Sequence, residues 1–175
     1  EEIETRETVI RTRFWRSARR KIRRSRFGPI VSDAKVARSR PGDTIALRWI
    51  GHEPTDEVTA LLRASRATTP EEFRAALAGF GVSAQNMLVA GADGRIGQIM
   101  AATMPVRTRF PPPDPVLDAG DPDTHWQGLV DAPALPWTAD PLEGLLATAN
   151  NRPTDTTLPV GFFFSADERV RRLYA

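Results

Sequence analysis

Apolar and polar positions alternate loosely from residue 3 to residue 13, as in Ile3-Glu4-Thr5-Arg6 and Thr8-Val9-Ile10-Arg11. That period of two predicts an exposed strand. Gly28-Pro29 interrupts the pattern, Ile30-Val31 opens another short strand, and Arg40-Pro41-Gly42-Asp43 marks a turn. Residues 44–50 then read as a strand buried on at least one face. Two helices are expected next. The first covers residues 56–67, with Val58, Leu61 and Leu62 on one face. The second has Thr69 as N-cap, Pro70 at its first position and Glu72 three residues after the cap. Its apolar stripe is Phe73, Ala76 and Leu77, and Gly79 or Gly81 ends it. A hairpin follows, with strands at 85–90 and 96–101 around Ala92-Asp93-Gly94. Asp-Gly between apolar runs is a strong hairpin signal.

Beyond Phe110 the pattern dissolves. Pro111-Pro112-Pro113-Asp114-Pro115 excludes a central strand, because proline has no amide hydrogen to donate. The 110–160 stretch holds most of the chain's 15 prolines. No internal repeat is present. The fold class is therefore α+β, built of antiparallel strands with a helical pair inserted at about 56–80 and a Pro-rich irregular segment. Three stretches divide the single segment 1–175: a basic arm with strands (1–40), a strand–helices–hairpin block (41–109), and Pro-rich loops with a C-terminal piece (110–175).

Composition narrows the chemistry. The 175 residues are 41% hydrophobic and 26% charged, enough apolar material for a core. No apolar run approaches the ~18 residues of a membrane span. The absence of cysteine excludes disulfides, thiolate metal sites and a cysteine nucleophile. Two histidines, His52 and His125, argue against a histidine-rich metal site. The net charge of +2 hides an asymmetry. Residues 1–40 carry 13 Lys/Arg against 5 Asp/Glu, and residues 41–175 carry 11 against 17. The peak is 11–26, with nine positive charges and no acid. Such a run, with Phe14, Trp15 and Phe27 interspersed, can bind nucleic acid or an anionic membrane. Its plainer reading is a solvated arm, or one paired with acids elsewhere on the molecule. The net acidity of the remainder argues against a dedicated nucleic-acid domain. Glu1-Glu2-Ile3 is neither a signal peptide nor an initiator methionine, so the start reads as a cut.

Several motifs, in order, resemble the penicillin acylase (penicillin amidase) family of N-terminal-nucleophile hydrolases. They are Gly28-Pro29-Ile30, Ala46-Leu47-Arg48-Trp49, Gln85-Asn86 before an aliphatic strand, and Ala92-Asp93-Gly94-Arg95-Ile96-Gly97. Met104-Pro105-Val106-Arg107, Trp126-Gln127-Gly128-Leu129, Pro141-Leu142-Glu143-Gly144 and Ala149-Asn150-Asn151-Arg152 follow. Each is weak alone; their order across 26–153 is what carries the resemblance. It implies an αββα fold and a precursor that cuts itself into two chains, the larger beginning with a serine whose α-amine acts as base. It implies a periplasmic or secreted protein, and partners in the remaining segments of the same precursor. The substrates implied are N-acyl compounds: β-lactam side chains, acyl-homoserine lactones or lipopeptides. No cofactor is implied. Calcium occurs in some relatives, but Gly91 stands at or near the position where many have an acid.

Two residues carry over from the motifs. Asn86 matches the oxyanion-hole asparagine, and Arg107 matches an arginine that supports the active site. The residues by themselves also fit an ordinary strand-edge asparagine satisfied by backbone groups, and a surface or structural ion-pair arginine. Asn150, Asn151, Arg152 and Pro153 fit either a cleft border or plain turn chemistry. Trp49, Trp126 and Trp137 fit core packing better than ligand contact. With Glu1 at the start, the nucleophile is expected outside these residues, and the isolated chain is expected to be inactive and prone to self-association through uncovered strand edges. The rival function is a non-catalytic α+β interaction module that docks on anionic partners through 11–26.

Overall fold

The computed structural model describes residues 2–37, 39–108, 116–149, 151–152, 158, 160–161, 164 and 167–175. It divides into two compact units, residues 1–52 and 53–175. The Pro111–Pro115 run lies outside the described residues.

The first unit is a small antiparallel sheet. Strand β1 (Glu4–Ile10) pairs along its whole length with β2 (Ala18–Ser25), which passes to β3 (Gly28–Pro29). The basic run thus contributes a full strand, which sequence patterning had not assigned: β2 reads ARRKIRRS, with too few apolar residues to show a period. The strand expected at 44–50 shrinks to one bridge, Ile30 to Ala46. The backbone bonds Val31 N–H to Ile45 O (2.8 Å) and Leu47 N–H to Pro29 O (2.9 Å) flank it. A two-residue β3 offers no ladder for a longer strand to join. The chain turns into a 3-10 turn at Ile50–His52. Gly28 fits this close approach: its φ is +132°, and a Cβ there would lie 2.1 Å from the Leu47 carbonyl oxygen.

The second unit is where the sequence pattern reads most faithfully. Helix α1 (Glu57–Ala64) is capped by Asp56, which accepts from Thr59 N–H at 2.9 Å. Helix α2 (Pro70–Ala76) begins as expected: the Thr69 hydroxyl accepts from Glu72 N–H at 3.1 Å. The Glu72 carboxylate reaches back to the N–H and hydroxyl of Thr68, both at 2.8 Å. The hairpin strands are β4 (Gln85–Ala90) and β5 (Ile96–Ala101). Gly94, at φ +85°, turns the loop between them, and Gly91 N–H closes it onto Arg95 O at 2.8 Å. Strand β8 (Trp137–Ala139) adds to the far side of β5. A second ladder pairs β6 (Met104–Val106) with β7 (Gly128–Val130). Helix α3 (Glu168–Tyr174) follows. Mixed α+β structure with antiparallel pairing is thus what forms.

Val58, Leu61 and Leu62 share one face of α1, and that face points away from the core: they are 70%, 46% and 56% exposed. Ala60 and Ala64, on the opposite side, are buried with Leu77, Phe80, Ile99, Ala101 and Ala132. Small side chains let the helix approach closely, and the larger apolar stripe is left facing away. Approach is equally close at α2, where Pro70 packs on Gly97: a Cβ at Gly97 would stand 2.8 Å from the Pro70 ring and 3.1 Å from Val89.

Candidate active site

The sheet β4-β5-β8 has two different faces. Met87 and Val89 of β4, Ile99 and Ala101 of β5 and Trp137 of β8 belong to the core packed with α1 and α2. Strand alternation turns Asn86, Leu88, Gln98 and Met100 to the other face. Asn86 sits opposite Met100 and is half-buried, while Leu88 is 47% exposed. Beside this face Met100 joins a second apolar cluster with Ala102 and Leu135, flanked by Met104, Val130, Leu158 and Val160.

Asn86 has a side-chain partner, not the neighbouring backbone. Its Nδ2 donates to Thr148 Oγ1 at 3.2 Å across a gap of 62 residues. A primary amide has two N–H bonds, so one can be spent on orientation while the other remains for a ligand oxygen. Thr148 is itself held in place. Its neighbour Ala147 donates its N–H to the Tyr174 hydroxyl (3.2 Å), which donates back to Ala147 O (3.4 Å). Neither Thr148 nor Tyr174 stood out in the sequence. The motif Ala149-Asn150-Asn151-Arg152 begins one residue later, and that adjacency was the available signal.

The approach to Asn86 is pinned from α1. Glu57 accepts a short hydrogen bond from the Thr55 hydroxyl and takes Gly81 N–H (3.2 Å) and Val82 N–H (3.0 Å). Thr103 N–H donates to Gly81 O at 3.2 Å on the other side. The Thr55 hydroxyl, with the Val82 N–H after it, holds the Glu57 carboxyl down at about 2. The segment entering β4 is therefore fixed before Asn86 is reached.

Arg107 leaves β6 on the other ladder. Val106 pairs with Gly128, and Gln127 N–H donates to Val106 O at 2.8 Å, which brings Trp126 beside Arg107. The guanidinium stands 6.0 Å from the Trp126 ring centroid, at the outer limit of cation–π contact. The two candidates thus stand on different small sheets, and each has its own neighbour: Thr148 for Asn86, Trp126 for Arg107. Trp137 packs against the main core, with the Arg74 guanidinium 4.6 Å from its ring. Trp49 departs from the packing expectation. It is 51% exposed and meets His52 edge-on at 5.5 Å. Asn151 serves its own turn, accepting from Ala149 N–H at 3.2 Å and donating to Arg152 O at 3.4 Å. Asn150 and Pro153 lie outside the described residues. Among the described residues, no three His, Asp or Glu side chains converge to hold a metal.

The β4-β5-β8 sheet is thus antiparallel, backed by helices on one face, and carries the Asn86 amide, bonded to Thr148, on the other. The chain belongs to the penicillin amidase family, whose sequence model matches residues 1–175. It is similar to a penicillin acylase 2 proenzyme from Pseudomonas sp. (strain SE83), with 30% identity over 129 residues. That match covers 73% of this chain and 16% of the proenzyme, so the chain spans a small part of its relative's length. Its fold is similar to that of a thermostable penicillin G acylase from Alcaligenes faecalis, with a TM-score of 0.69 and 23% identity. That likeness covers 98% of this chain and 31% of the acylase chain.

Proposed function

We propose that this chain is the oxyanion-stabilising part of an acylase that hydrolyses the amide bond of N-acyl substrates. The observation that carries the reading is Asn86: it stands on the sheet face away from the helices, with its amide oriented by Thr148. Family membership supports an amidase-type hydrolase. The similarity to a proenzyme supports a processed precursor, whose other segments supply the nucleophile and complete the pocket.

In this reading a serine hydroxyl from another segment adds to the substrate carbonyl, its own α-amine taking the proton. An α-amine titrates near ~8, so it is a competent base at neutral pH without a histidine. The carbonyl oxygen becomes an oxyanion and receives the second Asn86 Nδ2 hydrogen. The amine leaves as the tetrahedral intermediate collapses, and water then releases the acid from the acyl-serine ester. One such donor supplies roughly 3–4 kcal/mol to the transition state. Arg107, beside Trp126, supports the network around the nucleophile and substrate. The substrate class is an N-acyl amide: a β-lactam side chain, an acyl-homoserine lactone or a lipopeptide. The setting is periplasmic or secreted.

The test is Asn86→Ala in the complete, processed enzyme. The expected result is a kcat lower by about 10²-fold or more, with an unchanged melting temperature. Activity within a few-fold of the parent sinks the assignment.

A further inference from the structure

The β1–β2 hairpin segregates its charge along its length. At its base, acids stand opposite bases: Glu4 faces Arg24 and Glu7 faces Lys21. Arg23 adds a two-point pair with Asp33, at 2.7 and 2.5 Å. Towards the tip the acids stop. Arg19 faces Val9 and Arg20 faces Thr8. Residues 8–20 carry Arg11, Arg13, Arg16, Arg19 and Arg20 with no Asp or Glu among them.

The same tip displays apolar surface. Phe14 and Trp15 are 86% and 83% exposed, and Val9 and Ile10 behind them are 53% and 49% exposed. Phe14 holds φ at +72°, an uncommon conformation for an aromatic residue, and the Arg13 guanidinium lies 4.7 Å from its ring. Two adjacent aromatics held out into water at the end of a ribbon are costly unless something covers them.

From this segregation we propose that the hairpin tip docks on an anionic phospholipid surface. Trp15, an amphipathic ring, enters the headgroup region, Phe14 adds apolar area beside it, and the arginines behind them meet lipid phosphates. The placement of charge favours a plane over a groove. Opposite residues in an antiparallel pair share a face, so Arg20 lies on one face of the ribbon and Arg19 on the other. Charge on both faces behind an apolar tip surrounds the tip, as a flat anionic surface requires. A nucleic-acid strand tracking a groove needs its cations along one face.

The test uses the complete enzyme carrying this chain, sedimented with phosphatidylcholine vesicles or with vesicles about one-third phosphatidylglycerol. The expected result is at least about tenfold stronger binding to the anionic vesicles, lost when salt rises from about 0.1 M to about 0.5 M. Phe14→Ser with Trp15→Ser should weaken that binding about tenfold while the melting temperature holds. The variant R11Q/R13Q/R16Q/R19Q/R20Q should abolish the anionic preference, and R11K/R13K/R16K/R19K/R20K should keep it, because the attraction is to charge. Equal binding to both vesicle types, no binding to either, or full binding by the serine pair overturns the proposal. Tighter binding to a single-stranded oligonucleotide than to the anionic vesicles overturns it in favour of nucleic acid.

Discussion

Asn86 illustrates how little one residue says by itself. Asparagine is depleted in strands, and its polarity alone fits a satisfied strand edge as well as a catalytic donor. The structure adds a partner, a threonine hydroxyl brought from 62 residues away. In the function proposed above Thr148 is a positioning residue, and its removal should act through Asn86. Thr148→Val in the complete enzyme keeps the shape but cannot accept the bond. It should lower kcat about tenfold with little change in KM, and Thr148→Ser should restore most of the loss. Equal kinetics for all three would show that the Asn86 amide is oriented by other means.

At the scale of elements, close approach decides what the pattern cannot. Helix α2 lies against the sheet because Gly97 has no Cβ to meet Pro70. Gly97→Ala forces a contact on a rigid ring and should destabilise the protein by about 1–3 kcal/mol, read as a lower denaturant midpoint. The same helix is tied down by charge. Arg95 makes a two-point pair with Glu71 (2.8 and 2.7 Å) and a third bond to Asp140 (2.7 Å), whose other oxygen takes Ile96 N–H at 2.9 Å. The Arg95 guanidinium holds the Glu71 carboxyl down to about 2 from the ordinary 4.5. A folded-state value below the unfolded one means the unfolded chain takes up the proton first. The stabilisation is therefore complete above about pH 4.5 and is lost as pH falls through about 2. A melting-temperature profile should drop across that window, and Glu71→Gln should flatten the drop. A profile unchanged by the substitution would show the pair to be neutral, as many exposed pairs are.

For the whole molecule, the α1 stripe and the uncovered face of β4 have a common meaning. Val58, Leu61, Leu62 and Leu88 are apolar and substantially exposed. They are surfaces that the rest of a larger enzyme would cover, in keeping with a chain spanning 31% of the similar acylase chain. Residues 1–175 expressed alone should hydrolyse no N-acyl substrate and should self-associate, visible by light scattering. Leu61→Gln with Leu62→Gln should reduce the association, and a monomeric parent chain would refute this account of the stripe. The interior was more legible than its surroundings. The capped start of α2 and the Asp-Gly hairpin form as expected, because caps and turns are decided by residues three or four positions apart.

The sequence by itself determined the α+β class, the helical pair, the β4–β5 hairpin and the ordered motifs of the penicillin amidase family. These depend on local hydrogen bonding and on residue order, both written along the chain. Tertiary structure alone decided that the basic run forms β2, that residues 44–50 make only a bridge, and that α1 turns its alanines inward. It alone brought Thr148 to Asn86 and Trp126 to Arg107. The physical reason is common to all of these. Whether a strand extends, which helix face is buried and what an amide can reach depend on surfaces contributed from distant positions, and periodicity along one stretch holds no information about them.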